Sequence, residues 1–516
     1  MNIYKDICPI DEPISAERQS AKRHYGVHPY FTRRPYNVVK KYILHYSREG
    51  DKVIDPFGGS GVTAIEAFLN NRIGIQNDIN PFANFIAQGV VNLHKGNISE
   101  YYTALADLQN SCKRKIEQIE ASDDLSLENC LHKISLPPNL PLPSNSDVET
   151  YHELFLPKQL VALAVLKEAI NAIEKEYVRN GLLLAWSATL TKLNKTFLSA
   201  EGRLASRGGS SLFSIYRYKV AKKPVSLPGW QTFYERASNI IEAKKEIERE
   251  IEARNLTVGW KGQFYAYEKD IEEIADELKG EIDYIFTDPP YGAHIAYLDL
   301  STLWNGWLGL MPSPEANSKE LIVGGDFKHT EDEYVERLGQ SVKACVKMLK
   351  IGRWLSIVFQ HWNTRYFESI LRSASESGME LRAAISQVGD PVWSMHKKKG
   401  SESVLAGELI LTFFKSGVVA RKKNGSNFDL ESSIDSYLNS VKNNHIFGEY
   451  LFNKVIMDAW EKGALSALSI SKSTFADIIK NHGWHYDSGQ HCWIRNDVST
   501  SNNISLLSLV DSRLRR

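Results

Sequence analysis

A short apolar strand pattern that passes through a glycine-rich turn into a helix pattern limits most strongly which folds this chain can adopt. Residues 53–54 are the strand, Gly58, Gly59 and Gly61 lie in the turn, and residues 63–69 begin the helix. Glycine lets the backbone approach a ligand closely. The first turn of the following helix offers free N–H groups to an anionic group such as a carboxylate. The segment therefore predicts an α/β fold with a nucleotide-type site.

The next strand pattern, residues 72–77, ends at Asp78. An acid about 20 residues after such glycines can bind both hydroxyls of a ribose. The glycines do not follow the Gly-x-Gly-x-x-Gly spacing of dinucleotide sites, and no Gly-Lys-Ser/Thr of a phosphate loop is present. The turn alone does not name the nucleotide, and an ordinary strand-to-helix turn is the alternative interpretation.

A second apolar strand pattern, residues 282–286, leads into the tetrapeptide Asp288-Pro289-Pro290-Tyr291. Two consecutive prolines fix φ and remove two backbone donors, which leaves a stiff loop with acceptor carbonyls. The Asp288 carboxylate and the Pro289 carbonyl can each accept one hydrogen of an exocyclic amino group, which would expose the nitrogen lone pair. Tyr291 offers a ring face on which a flipped base can stack. We expect these four residues to be catalytic; a purely structural turn is the alternative.

Taken together, Asp-Pro-Phe-x-Gly-Ser-Gly at 55–61 and Asp-Pro-Pro-Tyr at 288–291 resemble the motifs of the S-adenosylmethionine-dependent amino-group DNA methyltransferases. The resemblance covers roughly residues 22–95 and 262–416. It implies a doubly wound, Rossmann-like α/β methyltransferase sheet and S-adenosyl-L-methionine as the cofactor. Residues 352–361 resemble the strand after the catalytic loop, and residues 408–415 resemble the last strand of the sheet.

The resemblance also implies a set of cofactor-binding residues. In the family, the segment that matches residues 28–51 packs over the methionine end of the cofactor, and an acid at the place of Asp270 contacts the adenine. The implied residues are Tyr30, Arg34, Pro35, Asp55, Pro56, Phe57, Gly58, Gly59, Ser60, Gly61, Asp78, Ile79 and Asp270.

Asp rather than Ser at the first position of the catalytic motif favours adenine N6 over cytosine N4 in this family. An RNA methyltransferase acting on tRNA guanine N2 or on adenine N6 is the alternative, because some tRNA guanine-N2 enzymes share both motifs. Those enzymes usually carry an N-terminal RNA-binding domain, whereas only residues 1–21 precede the matching segment here. A non-catalytic DNA-binding subunit is a further alternative, against which the intact motifs argue. By family analogy, double-stranded DNA is the expected partner, together with restriction or phage-defence proteins.

Composition excludes several classes of protein. The 516 residues allow about three domains. Basic and acidic residues balance at 62 each, so any DNA-binding surface must be local. The five cysteines form no Cys-x-x-Cys pair, and none follows a proline, which argues against a zinc site, disulfides and the cytosine-C5 mechanism. We expect no metal. The chain has no signal peptide pattern and no 18-residue apolar run, and this predicts a cytoplasmic protein.

We predict four parts along the chain. Residues 1–95 and 262–418 form the methyltransferase domain, residues 96–261 a helical and basic insert, and residues 429–516 a small C-terminal α+β module. Residues 192–223 contain eight basic residues and one acid, which suits phosphate contacts. The candidates for DNA contact are Arg203, Arg207, Arg217 and Lys219. A solvated loop whose aromatic residues pack in a local core is the alternative.

Three further expectations concern the pocket and the C-terminal module. His294, Tyr297 and Trp304 are candidates to line the base pocket, although tryptophans at such positions are more often core residues. The basic loop at 391–399 either flanks the mouth of the active site or is solvated. Helices near 446–462 and 472–481, followed by a hairpin that turns at 487–489, are compatible with a winged-helix module, with a structural cap as the alternative.

Overall fold

The computed structural model describes residues 4–18, 21–122, 127, 134–198, 209–257, 259–293, 295–387, 407–419, 428–490 and 492–496. The chain divides into two compact units, one of residues 17–334 and one of residues 1–16 together with 335–516. The predicted Rossmann-like α/β class is confirmed, because helices alternate along the chain with the strands of a seven-stranded central sheet.

The strands of the first unit supply the edge from which both motifs project. They are β1 (Lys52–Asp55), β2 (Ile73–Asn77), β3 (Phe197–Leu198), β4 (Gly209–Ser210), β5 (Gln263–Tyr267) and β6 (Ile282–Thr287). β5, β2, β1 and β6 are neighbours in that order and pair in parallel, while β3 and β4 form a separate antiparallel pair. All six residues of β6 are buried, as its mostly apolar pattern predicts for a strand covered on both faces.

The register of β1 and β6 brings the two motifs together. Ile54 lies opposite Ile285 in this parallel pair, so both strands end at the same edge. Ligands of open α/β sheets bind beyond the carboxyl ends of the strands. The glycine turn leaves β1 at this edge, the tetrapeptide leaves β6 there, and Asp78 follows the adjacent strand β2.

Helices surround these strands in the first unit. The helix that follows the glycine turn is buried at every residue. The α-helices of this unit are Arg23–Gly26, Tyr36–Tyr46, Val62–Leu69, Pro81–Asn92, Ile98–Leu108, Arg114–Ala121, Pro157–Asn171, Glu176–Thr189, Ser211–Ser214, Gly229–Thr257, Ile271–Glu277, Tyr297–Leu308 and Pro314–Ser318. A π-helical turn covers Gln109–Lys113 and a 3-10 turn covers Tyr151–Leu154. The helix Glu331–Met348 begins in this unit and ends in the other.

The insert of residues 96–261 belongs to the same compact unit as the glycine turn. Lys244, on the long helix Gly229–Thr257, is fully buried and donates hydrogen bonds to the carbonyls of Leu93, Lys95 and Gly96 at 3.0, 2.9 and 2.8 Å. A buried ammonium needs such acceptors, because without them its desolvation would be costly. Lys244 therefore ties the insert to residues 93–96, which follow the helix Pro81–Asn92. The division of the chain into four domains stays a prediction.

The second unit contains an antiparallel part of the central sheet. Its strands are β7 (Leu349–Phe359), β8 (Met379–Gln387) and β9 (Glu408–Lys415), with β9 between the other two. The helix Thr364–Glu376 lies between β7 and β8 in the chain. The strands expected at 352–361 and 408–415 are therefore present, the second with the bounds that the sequence predicts.

The C-terminal part of this unit contains the predicted pair of helices and the hairpin. The α-helices are Leu430–Ser440, Gly448–Glu461 and Lys472–Asn481, and a 3-10 turn covers Leu465–Ala467. Strands β10 (His445–Ile446), β11 (Trp484–Asp487) and β12 (Cys492–Arg495) form an antiparallel sheet in the order β10-β12-β11. The first helix and β10 were not expected from the sequence. The winged-helix assignment stays a prediction.

Candidate active site

The glycine turn after β1 depends on glycine at particular positions. Gly61 has φ +88° and Gly59 has φ +50°, in the region that side chains other than glycine rarely adopt. A Cβ on Gly58 would lie 2.2 Å from Oε1 of Gln76. Gln76 in turn donates from Nε2 to the carbonyl of Gly59 at 3.0 Å. The turn is therefore held tightly against the end of β2.

Asp78 faces the same turn from the end of β2. The backbone N–H of Gly59 donates to its Oδ2 at 2.8 Å, and the N–H of Asn80 donates to its Oδ1 at 2.8 Å. Burial raises the pKa of Asp78 to about 6, although both N–H bonds oppose the shift. Each carboxylate oxygen can accept a second hydrogen bond, so the group retains the capacity to bind the two hydroxyls of a ribose.

Asn77 and Asn80, which the sequence analysis did not select, fix this edge. Asn77 donates from Nδ2 to the carbonyls of Pro56 and Lys269 at 3.1 and 3.0 Å, joining the turn to the end of β5. Asn80 caps the helix Pro81–Asn92 by accepting the N–H of Phe82 at 3.2 Å, with proline at the first helical position. The dipeptide Asn80-Pro81 was a usable sequence signal for this helix start.

The segment before the helix Tyr36–Tyr46 lies over the glycine turn. The ring of Tyr30 is buried, and its Cε1 would be 3.1 Å from a Cβ on Gly59. Arg33 donates from Nε to Oγ of Ser60 at 2.8 Å and from Nη1 to the carbonyl of Tyr25 at 2.7 Å. Burial lowers the pKa of Arg33 to about 10. Sequence reasoning missed Arg33, because nothing in the pattern distinguishes it from its neighbour Arg34.

Two hydrogen bonds hold the tetrapeptide Asp288-Pro289-Pro290-Tyr291 in place. The Thr287 hydroxyl, at the end of β6, donates to Oδ1 of Asp55 at 2.7 Å. The hydroxyl of the fully buried Tyr334 donates to the carbonyl of Pro290 at 2.5 Å. These two bonds position the loop from opposite sides, and neither Thr287 nor Tyr334 was a candidate from the sequence.

Asp55 acts as a scaffold between the two motifs. Besides Thr287, it accepts the N–H of Phe57 at 3.0 Å and the hydroxyl of Thr63 at 3.3 Å. Burial raises the pKa of Asp55 to about 7, against the effect of the Thr287 and Phe57 bonds. Its contacts explain how β1, β6 and the following helix are joined. Contact between Asp55 and a cofactor stays a prediction.

Asp288 and Tyr291 share one partner, Arg34. Arg34 donates from Nε to Oδ2 of Asp288 at 2.5 Å and from Nη2 to the hydroxyl of Tyr291 at 3.0 Å. The guanidinium carbon also lies 5.7 Å from the centre of the Tyr291 ring. Arg34, expected to bind the cofactor, is thus placed by the structure against two of the residues that the sequence predicts to be catalytic. The side chains of Arg34 and Asp288 are 17% and 20% exposed, so the contact lies at an accessible surface.

The remaining predicted cofactor residues lie around the same edge. Pro35 immediately precedes the helix Tyr36–Tyr46, and Phe57 and Ile79 are half-buried where the chain leaves β1 and β2. Asp270 caps the helix Ile271–Glu277 and binds Nζ of Lys319 at 2.5 Å. Burial would raise the pKa of Asp270, but Lys319 and the capping N–H groups outweigh it and lower the pKa. Its contact with adenine stays a prediction.

The expected pocket-lining residues separate into different environments. The Tyr297 hydroxyl is hydrogen-bonded to Oγ1 of Thr32 at 3.2 Å. Burial raises the pKa of Tyr297, and the nearby Asp288 raises it further. Trp304 is a core residue, fully buried, stacked on Phe82 at 4.5 Å and donating to the Ser187 carbonyl at 3.1 Å. Of the two interpretations that the sequence left open for Trp304, the structure therefore supports the core residue. His294 lies outside the described residues.

Two of the four candidate DNA contacts can be placed. Arg217 and Lys219 are exposed, and Arg217 forms an ion pair with Asp147. Between them, the fully buried Tyr218 donates to the carbonyl of Leu300 at 2.8 Å, on the helix that follows the catalytic loop. This anchor fixes two cations beside that helix. Arg203, Arg207 and the loop 391–399 lie outside the described residues.

The described part of the chain contains neither a cluster of metal-ligating side chains nor a membrane-spanning helix. No group of three or more His, Cys, Asp or Glu side chains is arranged there to hold a metal ion. No helix among the same residues is long and apolar enough to cross a membrane.

Comparisons with known proteins agree with the motifs. A family model described as DNA methylase, of the N6/N4 methyltransferase type, matches residues 5–88, the segment that contains the glycine turn and Asp78. The type II methyltransferase M.MjaII of Methanocaldococcus jannaschii is 35% identical over 102 residues, which is 19% of this chain and 18% of the relative. The type II methyltransferase M.MvaI of Kocuria varians is 23% identical over 283 residues, 53% of this chain and 55% of the relative.

A third relative, the orphan methyltransferase M.BamHII of Bacillus amyloliquefaciens, is 43% identical over 65 residues, 12% of this chain and 24% of the relative. The chain thus matches at most about half the length of these three relatives. Methyltransferases of this family use S-adenosyl-L-methionine. The family match, the relatives and the two motifs at one sheet edge support the amino-group DNA methyltransferase family for this chain.

Proposed function

We propose that this protein transfers a methyl group from S-adenosyl-L-methionine to an exocyclic amino group of a flipped DNA base, with adenine N6 as the target. The observation that carries the proposal is the hydrogen bond of 2.7 Å between Thr287 and Asp55, which fixes the catalytic tetrapeptide beside the glycine turn. Cofactor and base would then meet beyond the carboxyl ends of two adjacent parallel strands.

The residues at this edge suit the cofactor. The helix Val62–Leu69 has no side-chain cap at its N-terminus, so backbone N–H groups remain for the carboxylate of the methionine part. The carboxylate of Asp78 keeps acceptor capacity for the ribose. Tyr30 covers the turn, and the half-buried Ile79 is available to pack against the adenine.

When bound, S-adenosyl-L-methionine supplies a methyl group on a positively charged sulfur. The protein's own residues would prepare the acceptor. Asp288 and the carbonyl of Pro289 would each accept one amino hydrogen, Tyr291 would stack on the base, and Tyr334 would keep the loop rigid through Pro290. The rate gain would come from positioning and electrostatic stabilisation, and the methylated nitrogen would release one proton, for which Asp288 is the adjacent acceptor.

Adenine N6 is the favoured target because the catalytic motif begins with Asp288 instead of Ser. For DNA binding, the exposed Arg217 and Lys219 beside the buried Tyr218 are the described candidates, with Arg203 and Arg207 in the same basic stretch. Such cations would contact phosphates and position the duplex without reading its sequence.

Transfer of labelled methyl from S-adenosyl-L-methionine to duplex DNA and to tRNA, followed by nucleoside analysis, tests the proposal. We expect N6-methyladenine in DNA. Label in cytosine N4 would keep the reaction and change the target base. Label in RNA alone would replace the substrate class, and no label in either would favour a non-catalytic DNA-binding subunit.

A role in restriction–modification or phage defence is proposed by family analogy, since two of the relatives are named type II methyltransferases. Purification of the full chain from its native cells, with identification of co-purifying proteins, tests for restriction or defence partners. Recovery of the chain alone would argue against a stable partner.

A further inference from the structure

The guanidinium of Arg34 lies beside Asp288 and Tyr291, where the proposed methyl transfer requires the target base. Its Nε donates to Oδ2 of Asp288 at 2.5 Å, the atom type that would accept a hydrogen of the amino group. Its guanidinium carbon lies 5.7 Å from the centre of the Tyr291 ring, the surface on which the base would stack. A second bond, from Nη2 to the Tyr291 hydroxyl at 3.0 Å, fixes the plane of the group.

The guanidinium imitates the reacting edge of a nucleobase. It is flat and delocalised, it carries N–H donors in a fixed arrangement, and it stacks on aromatic rings. An aminopyrimidine edge presents the same features, namely a planar π system with an exocyclic N–H that points at the carboxylate. A guanidinium has no acceptor and cannot be methylated as a neutral nucleophile, because it stays protonated at working pH. It can occupy the pocket without reacting.

We propose that Arg34 is a base-mimicking gate, which occupies the contacts of the target base on Asp288 and Tyr291 and is displaced when the base enters. The inference rests on the proposed function and adds a residue that determines how readily the pocket admits a base. Arg34 competes with every incoming base by the free energy of its contacts, and a base that satisfies Asp288 and Tyr291 poorly fails to displace it. The gate thereby lowers the affinity for every base by the same factor, so that only a base with strong contacts to Asp288 and Tyr291 occupies the pocket appreciably.

The surroundings allow this displacement. The side chains of Arg34 and Asp288 are 17% and 20% exposed, so the ion pair is partly accessible to solvent. The neighbouring Arg33 is held differently, because its guanidinium donates to Ser60 and to the carbonyls of Tyr25 and His28. One arginine of the pair is thus fixed in the scaffold, while the other is placed at the accessible mouth.

Three variants separate a gate from a residue that merely orients Asp288. Arg34→Ala removes the gate. Arg34→Lys keeps the charge but loses the planar group that stacks and donates twice. Arg382→Ala is the matched control, since it removes one arginine and one ion pair, with Glu380, between side chains that are 40% and 41% exposed.

Steady-state methyl transfer to duplex DNA is measured for each variant once the wild-type target site has been mapped. A fluorescent analogue at the target base reports base flipping independently of turnover. For Arg34→Ala we expect KM for DNA to fall roughly three- to tenfold, the change expected for one or two lost hydrogen bonds. We also expect more flipped analogue at equal occupancy, with Arg34→Lys between it and the wild type and Arg382→Ala unchanged.

A lower kcat with unchanged KM and unchanged analogue fluorescence would overturn the gate and make Arg34 a positioning residue for Asp288. Higher KM with less flipping would overturn it in favour of a direct DNA contact. If the wild-type protein methylates no DNA, both the proposed function and the gate are wrong. If the wild type methylates DNA and only the variant pattern fails, the gate alone is wrong.

Discussion

The hydroxyl of Thr287 donates a hydrogen bond of 2.7 Å to Oδ1 of Asp55, two residues that are 232 positions apart in the chain. Asp55 ends β1 and begins the glycine turn, and Thr287 ends β6 and immediately precedes Asp288, the proposed catalytic acceptor. One buried carboxylate therefore sets the separation between the two motifs. This relationship gives the first prediction.

Thr287→Val, which keeps the shape of the side chain and removes its hydroxyl, should lower kcat for methyl transfer by about tenfold. The physical reason is that misplacement of a catalytic loop by a fraction of an ångström costs near-attack geometry. Thr287→Ser retains the hydroxyl and should stay within about threefold of the wild type. Equal kcat values for the Val variant and the wild type would show that the bond does not position the loop.

Asp288→Asn should abolish measurable methyl transfer while leaving the affinity for S-adenosyl-L-methionine nearly unchanged. The amide presents an NH₂ donor where the amino group of the base needs an acceptor. The substitution also removes the negative charge of the carboxylate, which would stabilise the positive charge that develops on the nitrogen. Calorimetry checks the affinity for S-adenosyl-L-methionine, and a transfer assay on the same preparation checks the loss of methyl transfer. Activity in the Asn variant would show that Asp288 is not the acceptor, and lost cofactor binding would place it in the cofactor site instead.

Gly61→Ala should destabilise the protein more than Gly280→Ala does. Both glycines have positive φ, at +88° and +68°. A Cβ at 61 would lie 2.5 Å from Cβ of Ala87, whereas nothing lies within 4 Å of a Cβ at 280. Gly280→Ala therefore measures the backbone strain alone, on the order of 1 kcal/mol.

The difference between the two alanine variants measures the close approach to the helix Pro81–Asn92, and we expect it to exceed ~1 kcal/mol. Urea denaturation of each variant gives the free energies of unfolding. Equal decreases in the free energy of unfolding would mean that the turn moves away from Ala87 without a loss of stability.

Sequence patterns predicted the parts of this site that are local in the chain. Each of these parts is a recognisable residue pattern directly after a strand: the glycine turn after β1, the acid after β2 and the tetrapeptide after β6. Parallel pairing of β1 and β6 brings the first and the last of them together. The hairpin Trp484–Asp487 with Cys492–Arg495 was equally local.

Contacts between distant residues could not be predicted in this way. Arg34 is 254 positions from Asp288 and Lys319 is 49 positions from Asp270, and no periodicity relates members of either pair. Trp304 was ambiguous for a related reason, because the buried face of a helix after a catalytic loop has the same apolar pattern whether it lines a pocket or the core.

Replacing Arg217 and Lys219 together by alanine should weaken DNA binding at low salt and reduce its salt dependence. If both contact phosphates, the slope of log K against log salt should fall by about 2, near 0.9 for each contact. The double variant of Lys113 and Lys175, which form exposed ion pairs with Glu117 and Glu100, is the matched control. Fluorescence anisotropy with duplex DNA at several salt concentrations gives both slopes. A slope unchanged from the wild type would remove these two residues from the DNA surface.

Asp55→Asn should change how stability depends on pH. Burial raises the pKa of Asp55 to about 7 from an ordinary value of 3.8, so the folded protein binds this proton more tightly than the unfolded chain does. The resulting stabilisation is complete below about pH 4 and is lost as the pH rises towards 7. Other acids act in the same direction, because desolvation raises their pKa values to about 6 for the half-buried Asp78 and Asp299 and to about 8 for the buried Glu320.

The asparagine variant isolates the contribution of Asp55, since an amide does not titrate and its oxygen can still accept from Thr287. Between pH 5 and pH 8, the free energy of unfolding of the wild type should fall more steeply than that of Asp55→Asn, by up to a few kcal/mol. Asp429→Asn is the control, because the hydrogen bonds of Asp429 to Ser432 lower its pKa, so that its contribution is constant in this range. Urea denaturation of the cofactor-free protein at four pH values provides the comparison. Parallel pH profiles for the wild type and Asp55→Asn would show that Asp55 is ionised in the folded protein throughout, and the scaffold would then have to carry a buried charge.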